Sequence, residues 1–132
     1  MIRQSAKCKG QSDSRHIAAD KSFEFAVRIV NPGKYLMNAH KEFILSKQLL
    51  RSGTSIGANI AEAQRAQSRA DFHAKMCIAL KEANETYYWL RLLYRTEYLD
   101  QAQFNIMEHD ILEILSILTA ICKTTNEKQL ST

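Results

Sequence analysis

The sequence predicts an all-α protein built as an antiparallel up-down four-helix bundle. After Asp20, apolar residues recur at spacings of three and four, which is the period of an amphipathic helix. Only one proline and four glycines interrupt the 132 residues, and no stretch alternates as a half-buried strand does. The chain of 132 residues is long enough for one core, and 45% of its residues are apolar. We therefore expect a single bundle over residues 20–125.

Both ends of the chain are expected to lie outside this bundle. Residues 1–19 are rich in Lys, Arg, Ser and Gln and have almost no large apolar side chains, so they predict a disordered basic tail. Residues 126–132 are expected to form a disordered C-terminus.

The first helix is predicted to begin at an Asp20 cap. Pro32 and Gly33 interrupt its pattern. A proline in a helix interior costs about 3 kcal/mol and a glycine about 1 kcal/mol, so we expect a kink or a break near Asn31. The predicted core-facing stripe of this helix comprises Phe23, Val27, Val30 and Met37.

The second helix is predicted to begin near Lys41 and then to enter a stretch of small residues, where Gly53 is a candidate bend. Gly53 and Gly57 do not fit a nucleotide-binding Walker loop, because no Lys-Ser/Thr follows Gly57. Their spacing instead favours the close approach of another helix. The predicted apolar residues of the second helix are Phe43, Ile44, Leu49 and Leu50.

The third and fourth helices have similar start signals. Ser68 with Asp71, and Asp100 with Gln103, are spaced as capping boxes. The fourth helix also carries a regular heptad seam, which favours bundle packing. The predicted core residues are Phe72, Met76, Ala79, Ala83, Leu90 and Leu93 in the third helix and Phe104, Met107, Ile111, Ile114, Leu118 and Ile121 in the fourth.

Basic and acidic residues occupy different parts of the chain. The net charge is +4, but residues 21–95 hold twelve basic and six acidic residues, and residues 96–132 hold two basic and six acidic residues. This separation favours either a face that binds a polyanion or complementary contacts between protomers.

Four basic residues are the candidate nucleic-acid contacts. Lys47 and Arg51 are one helical turn apart, as are Arg65 and Arg69, and the spacing brings both pairs towards one helix face. A basic stripe is usually a solvated surface. Together with the basic segment and tail, however, this one is a candidate site for phosphate-backbone contacts.

The aromatic residues of the third helix have two interpretations. Interleaved with Arg91 and Arg95, they could stack on bases. We favour packing within the bundle or an oligomer interface, where Tyr and Trp bury a large area and keep a polar group. The cluster comprises Tyr87, Tyr88, Trp89, Tyr94 and Tyr98.

The sequence predicts no catalytic residues, no cofactor and no metal, and hence no enzyme. None of His40, His73 and His109 has the Glu three positions before it that a bundle metal centre requires. His73 and Cys77 are one turn apart and could share a metal, but a partly buried histidine beside a core cysteine is favoured. No nucleophile elbow is present.

The three cysteines are an odd set without close pairing, which favours a reduced, cytoplasmic protein. The first residues contain no apolar run of signal-peptide length, and no segment is apolar enough to span a bilayer. Neither export nor membrane insertion is expected.

One stretch of the sequence resembles a known family. Residues 48–63, QLLRSGTSIGANIAEA, followed by Phe72 and by residues 80–86, LKEANET, are similar to the bacterial four-helix-bundle proteins encoded in intervening sequences of 23S rRNA genes. Residues 21–23, KSF, fit the start of the first helix, and the resemblance covers roughly residues 20–122. This family is similar to the accessory protein of diversity-generating retroelements, a barrel-shaped homopentamer that binds nucleic acid and partners a reverse transcriptase.

The resemblance implies a homo-oligomeric barrel, a pentamer, and it brings no catalytic residues. It also makes Asn59 and Glu62 candidates for buried hydrogen bonds. Pro32 and Gly33 depart from the continuous first helix expected of the family.

We therefore expect a non-enzymatic oligomeric module that binds RNA or DNA through phosphate contacts with low sequence specificity. Lys47, Arg51, Arg65 and Arg69 are its expected contacts. The alternative is a protein-interaction or assembly scaffold with no nucleic-acid role, in which the unlike charges pair protomers or a partner protein docks.

Overall fold

Four helices make up residues 11–130, the part of the chain that the computed structural model describes, with side chains described for residues 14–126. They are α1 (Gln11–Ala39), α2 (Leu45–Ala63), α3 (Arg69–Arg95) and α4 (Gln101–Leu130), joined by connections of five residues each. Each helix packs on the next one along the chain, and α4 packs on α1. Within the described residues, no Cα atoms of the diagonal pairs α1–α3 and α2–α4 lie within 8 Å of each other. This ring of neighbours is a four-helix bundle.

Contacts between the helices run in opposite residue order, so neighbouring helices are antiparallel. Between α1 and α4, Lys21 pairs with Glu113 at 3.1 Å and Arg28 pairs with Asp110. The same inverse order holds at the other three interfaces. Between α1 and α2, Ser22 lies against Gly57 and Ile29 against Gly53. The corresponding pairs are Ser52 with Thr86 and Glu62 with Lys75 between α2 and α3, and His73 with Thr125 and Tyr87 with Glu108 between α3 and α4.

The predicted core of α3 and α4 is confirmed. Every predicted core residue of these helices is buried except Phe72, which is half-buried. The predicted capping box of Asp100 and Gln103 forms, with reciprocal hydrogen bonds of 2.8 and 2.9 Å. At the start of α3, Ser68 Oγ accepts from the Asp71 N–H at 3.0 Å, but the Asp71 carboxylate accepts from the Gln67 N–H rather than from that of Ser68. Strong periodicity and local capping together fix these two helices.

The helical part of the chain is longer than the sequence predicts. α1 begins at Gln11, so residues 11–19 of the predicted tail are helical, and residues 1–10 lie outside the described part. Ala18 is buried, and the Arg15 guanidinium lies 5.2 Å from the centre of the Phe72 ring, so contacts with the bundle hold this segment. At the other end, α4 continues through residues 126–130 of the predicted disordered terminus.

Of the kink or break predicted near Asn31, the break does not occur: α1 runs through Pro32 as one continuous helix. The flanking residues Ile29 and Leu36 are fully buried, and Gly33 packs directly against Leu50 of α2. Burial of large apolar side chains on both sides stabilises the continuous helix by about 1.5–3 kcal/mol each, which offsets the cost of the proline.

The predicted core stripe of α1 is wrong. Phe23, Val27 and Val30 are 66%, 51% and 36% exposed, while Met37 is half-buried. We call the three exposed residues the α1 stripe. The residues of α1 that enter the core are instead Ala18, Ser22, Phe25, Ile29 and Leu36. This face includes small residues, which allow α2 to approach closely.

α2 begins at Leu45, four residues later than predicted, because Glu42 caps it from the preceding connection. The Glu42 carboxylate accepts from the N–H groups of Ile44, Leu45 and Ser46 at 3.2, 3.0 and 2.7 Å. Phe43 and Ile44 therefore precede the helix and are exposed, which corrects their assignment to its apolar side.

The glycines of α2 allow close packing, as their spacing predicts, and the helix continues through Gly53 without interruption. A Cβ atom at Gly53 would lie 3.3 Å from Ile29 Cγ1, and one at Gly57 would lie 3.4 Å from the Ser22 carbonyl oxygen. The backbones of α1 and α2 are therefore as close as these side chains permit.

Candidate functional site

The connection between α2 and α3 presents two of the four predicted basic residues. After α2 ends, Arg65 N–H donates to Glu62 O at 3.0 Å and Ala66 N–H donates to Ala63 O at 3.1 Å, which tightens the chain into a turn. Arg69 then begins α3. Both arginines are exposed, and neither belongs to an ion pair among the described residues. We call Arg65, Arg69 and the residues between them the basic turn.

Arg51 has a different environment. Its guanidinium donates to Glu85 and lies 3.5 Å from Glu82, both on α3. Glu85 also accepts from the Trp89 indole N–H at 3.0 Å, and this hydrogen bond, together with Arg51, holds the pKa of the Glu85 carboxyl below its ordinary value. Arg51 therefore joins α2 to α3, and its charge is largely compensated within the protein.

The four predicted residues do not form one continuous face. Lys47 is exposed near the start of α2, one turn before Arg51. From Arg51 to the end of α2, twelve residues span roughly 18 Å at 1.5 Å per residue. Because α2 ends at Ala63, Arg65 lies in the turn and Arg69 on the next helix. The structure thus places two of these residues along α2 and two at the basic turn.

A cavity of about 400 Å³ lies beside the basic turn, between the N-terminal part of α1 and the C-terminal part of α4. Arg15 and Arg69 line it, and none of its described lining residues is acidic. We call this cavity the turn pocket. Its polar lining comes from Ser14, Gln64, Gln67, Ser68, Thr124 and Thr125, and its apolar lining from Ala63, Ala66, Phe72, Ala120 and Ile121.

Arg15 is the residue of this region that the sequence interpretation missed. The polar composition of residues 1–19 places it in the predicted tail. The spacing of Arg15, Ala18, Ser22 and Phe25, at intervals of three and four, is the signal that extends the helix towards the N-terminus. It is weak because only Phe25 is large and apolar.

The packing interpretation of the aromatic cluster is confirmed for four of its five members. Tyr87 donates to Glu108 at 2.6 Å, and this hydrogen bond, with burial, raises the pKa of the Tyr87 hydroxyl. Tyr94 stacks on Phe104 with ring centres 4.5 Å apart. Trp89 and Tyr98 also pack against the core, whereas Tyr88 is 53% exposed.

His73 contacts Cys77 one turn along α3 and Thr125 on α4. His73 Nε2 lies 3.4 Å from Cys77 Sγ, and Nδ1 lies 2.6 Å from Thr125 Oγ1. Among the described residues, no group of three or more His, Cys, Asp and Glu side chains is arranged to hold a metal ion. Burial, with the neighbouring Cys77 thiol, raises the pKa of Cys122 to about 12.

The candidate buried hydrogen bonds of the family motif lie elsewhere. Glu62 is exposed and pairs with Lys75 at 2.8 Å, and half-buried Asn59 donates to Ser55 O within its own helix at 2.8 Å. The buried polar contact between helices is instead the hydrogen bond from Thr86 Oγ1 to Ser52 Oγ, at 3.0 Å.

None of the helices in the described part of the chain is both long enough and apolar enough to cross a bilayer.

Comparisons with known proteins agree with this architecture. The family model described as 23S rRNA-intervening sequence protein matches residues 15–120. A solved structure of a protein of unknown function from the S23 ribosomal protein family of Bacteroides thetaiotaomicron is 60% identical. It superposes with a TM-score of 0.81 over 83% of this chain and 98% of that one. No curated protein matches the chain. The chain therefore belongs to the family of 23S rRNA-intervening sequence proteins.

Proposed function

We propose that this protein is a cytoplasmic, non-enzymatic module that binds RNA or DNA through phosphate contacts with low sequence specificity. The observation that carries the proposal is the basic turn, where Arg65 and Arg69 are exposed without a described ion-pair partner. Exposed guanidinium groups that pair with no described carboxylate contact a phosphate backbone without a compensating loss of internal contacts.

The proposal assigns different weights to the four predicted contacts. Arg65 and Arg69 form its centre, and Lys47 adds a separate exposed charge on α2. Arg51 contributes less, because a phosphate would have to replace Glu85 and Glu82 as its partners. The excess of basic residues over residues 21–95 supports non-specific attraction of a polyanion over a larger surface.

The name of the matched family refers to an intervening sequence of 23S rRNA, and the similar solved structure belongs to a family named after a ribosomal protein. These names place the relatives in an RNA context, which supports RNA as the first ligand to test.

We propose that the protein acts as a homo-oligomer, a pentamer by its resemblance to the retroelement accessory protein. The α1 stripe supports assembly, because Phe23, Val27 and Val30 place a contiguous apolar row on the outside of one protomer. The same stripe favours a second candidate function, an assembly scaffold without a nucleic-acid role.

The binding test compares two pairs of substitutions with the same change in net charge. The variant carries Arg65→Gln and Arg69→Gln, and the matched control carries Lys34→Gln and Lys81→Gln, which are exposed on α1 and α3. Fluorescence anisotropy with a labelled single-stranded RNA of mixed sequence gives the Kd. We expect about 25-fold weaker binding for the variant at 0.1 M salt, since each single-strand phosphate contact has a salt slope of about 0.7.

The control is expected to bind within about twofold of the unmodified protein, because general attraction alone depends weakly on the position of two charges. Equal losses in the variant and the control would reject the basic turn as the binding centre. No salt-dependent binding by the unmodified protein would reject the function itself.

Light scattering tests the assembly. We expect a mass of about 75 kDa for a pentamer of 15.1 kDa chains, reduced in a variant with Phe23→Ser and Val27→Ser. The matched control carries Ile78→Ser and Tyr88→Ser, which are exposed on α3. If increasing salt dissociates the oligomer before it weakens RNA binding, the charges serve assembly and the scaffold function is favoured.

A further inference from the structure

The turn pocket combines two cationic side chains with a described lining that contains no acidic residue. Arg15 comes from α1 and Arg69 from α3. In the described contacts neither guanidinium meets a carboxylate, whereas Arg28 and Arg51 are both paired. Two guanidinium groups in one concave site attract an anion, and the oxygens of a phosphate match their forked N–H donors.

One of the two arginines is already ordered. The Arg15 guanidinium lies over the ring of half-buried Phe72, with its carbon 5.2 Å from the ring centre. This cation–π contact restrains the guanidinium, which donates no hydrogen bond to a described residue. Less conformational freedom is therefore lost when an anion binds.

The pocket is larger than a phosphate group requires. Its volume of about 400 Å³ falls within the range of small-molecule sites. Ala63, Ala120 and Ile121 provide an apolar wall, and the side-chain amides of Gln64 and Gln67 supply both donors and acceptors. A ligand with a phosphate at one end and a flat, partly polar group at the other matches both the two arginines and the apolar wall with its neighbouring amides.

We propose that the turn pocket binds one phosphorylated nucleotide, with its phosphate on Arg15 and Arg69 and its base and sugar against the apolar wall. The proposal rests on the proposed function, because Arg69 also belongs to the basic turn. The bound nucleotide is either a free mononucleotide or the 5′-phosphorylated terminal nucleotide of a strand. In the second case the pocket places the end of a strand beside the phosphate contacts of the turn.

The first experiment measures ligand binding to the full-length chain by isothermal titration calorimetry. The probes are AMP, adenosine and inorganic phosphate. We expect AMP to bind about tenfold or more tightly than adenosine, because adenosine lacks the charge-assisted contacts to the arginines. AMP is also expected to bind more tightly than inorganic phosphate, because phosphate alone leaves the apolar wall of the pocket uncovered.

Two variants test the position of the site. Arg15→Gln removes a phosphate contact that does not belong to the basic turn, and Ala120→Trp fills the pocket from an exposed position without changing charge. Both are expected to weaken AMP binding about tenfold or more while thermal unfolding shows an unchanged fold. Lys34→Gln is the matched control for loss of one positive charge, and it is expected to leave AMP binding unchanged.

The second experiment compares two single-stranded RNAs that differ only in a 5′-phosphate or a 5′-hydroxyl. Tighter binding of the phosphorylated strand, lost in Arg15→Gln and Ala120→Trp, identifies a strand end as the source. AMP binding without such a preference identifies a free nucleotide. Equal affinity for AMP and adenosine, or for AMP and phosphate, overturns the pocket proposal.

The two proposals fail in different ways. Salt-dependent binding of both RNAs with no AMP binding and no 5′-phosphate preference overturns the pocket and leaves the basic turn standing. Saturable AMP binding that is lost in Arg15→Gln, together with no RNA binding, supports the pocket as a free-nucleotide site and rejects the proposed function.

Discussion

Replacing Arg51 with glutamine is expected to weaken the packing of α2 on α3 more than it weakens nucleic-acid binding. The guanidinium donates to Glu85 and lies 3.5 Å from Glu82, so Arg51→Gln removes two ion pairs together. Glu85 keeps its hydrogen bond from the Trp89 indole, whereas Oε1 of Glu82 is buried and has no hydrogen bond in the described structure.

The magnitude follows from the exposure of the three side chains. Arg51 is 51% exposed, so each ion pair contributes about 0.2–1 kcal/mol. The Glu82 side chain is only 16% exposed, and leaving this carboxylate without its cation adds about 1 kcal/mol. The total loss is about 1.4–3 kcal/mol, which lowers the Tm of a domain of 132 residues by about 5–11 °C.

Thermal unfolding followed by circular dichroism measures this loss, and RNA anisotropy measures binding in the same samples. Lys47→Gln is the matched control, because Lys47 is exposed one turn away and forms no ion pair with a described residue. The control is expected to unfold within about 0.5 kcal/mol of the unmodified protein. An unchanged Tm with about fivefold weaker RNA binding in Arg51→Gln would refute the assignment of Arg51 to packing.

Two further substitutions and one chemical modification test the packing. Glu42→Gln is expected to destabilise the fold by about 0.5–2 kcal/mol at pH 7. Although burial opposes ionisation, the backbone donors lower the pKa of Glu42, so this stabilisation is present above the unfolded pKa and is lost as the pH falls through the folded pKa. Urea unfolding at pH 7 and pH 3 measures the difference in unfolding free energy between the unmodified protein and the Glu42→Gln variant. An equal difference at both pH values contradicts the cap. Burial and the neighbouring Cys77 thiol raise the pKa of Cys122 to about 12 against an ordinary 9.0, so its reactive thiolate is strongly disfavoured at pH 8. Iodoacetamide should therefore modify Cys122 far more slowly in the native chain than in urea, as measured by peptide mass spectrometry, and equal rates contradict its burial. Gly33→Ala places a methyl group 2.7 Å from Leu50 side-chain atoms, and the overpacking cost of about 1–3 kcal/mol exceeds the helix-propensity gain of about 1 kcal/mol. A Tm above that of the unmodified protein contradicts this close contact.

Local signals explain why α3 and α4 could be predicted from the sequence. Their capping residues bond within the first turn of each helix, and their predicted core residues repeat at regular helical spacing and are buried, apart from half-buried Phe72. α1 carries two apolar rows, the exposed α1 stripe and the buried row that includes Phe25 and Ile29. The choice between them depends on the shape of α2, which is distant in sequence, so periodicity alone could not make it.

The candidate site was predictable only in part for the same reason. Arg65 and Arg69 are exposed as expected, because the turn that carries them is set by nearby residues. The partners of Arg51 are 31 and 34 positions away, and they face it only in the register that α2 and α3 adopt. Arg15 joins the turn pocket through Phe72, a contact that composition within the first nineteen residues could not indicate.

The salt dependence of RNA binding tests the role of the basic turn most directly, because its slope counts phosphate contacts independently of overall stability. The Kd of the unmodified protein and of the Arg65→Gln, Arg69→Gln variant is measured between about 50 and 400 mM salt. We predict that the slope of the logarithm of affinity against the logarithm of salt is shallower in the variant by about 1.4, the contribution of two single-strand contacts. Parallel lines for the two proteins would contradict direct phosphate contacts by these arginines.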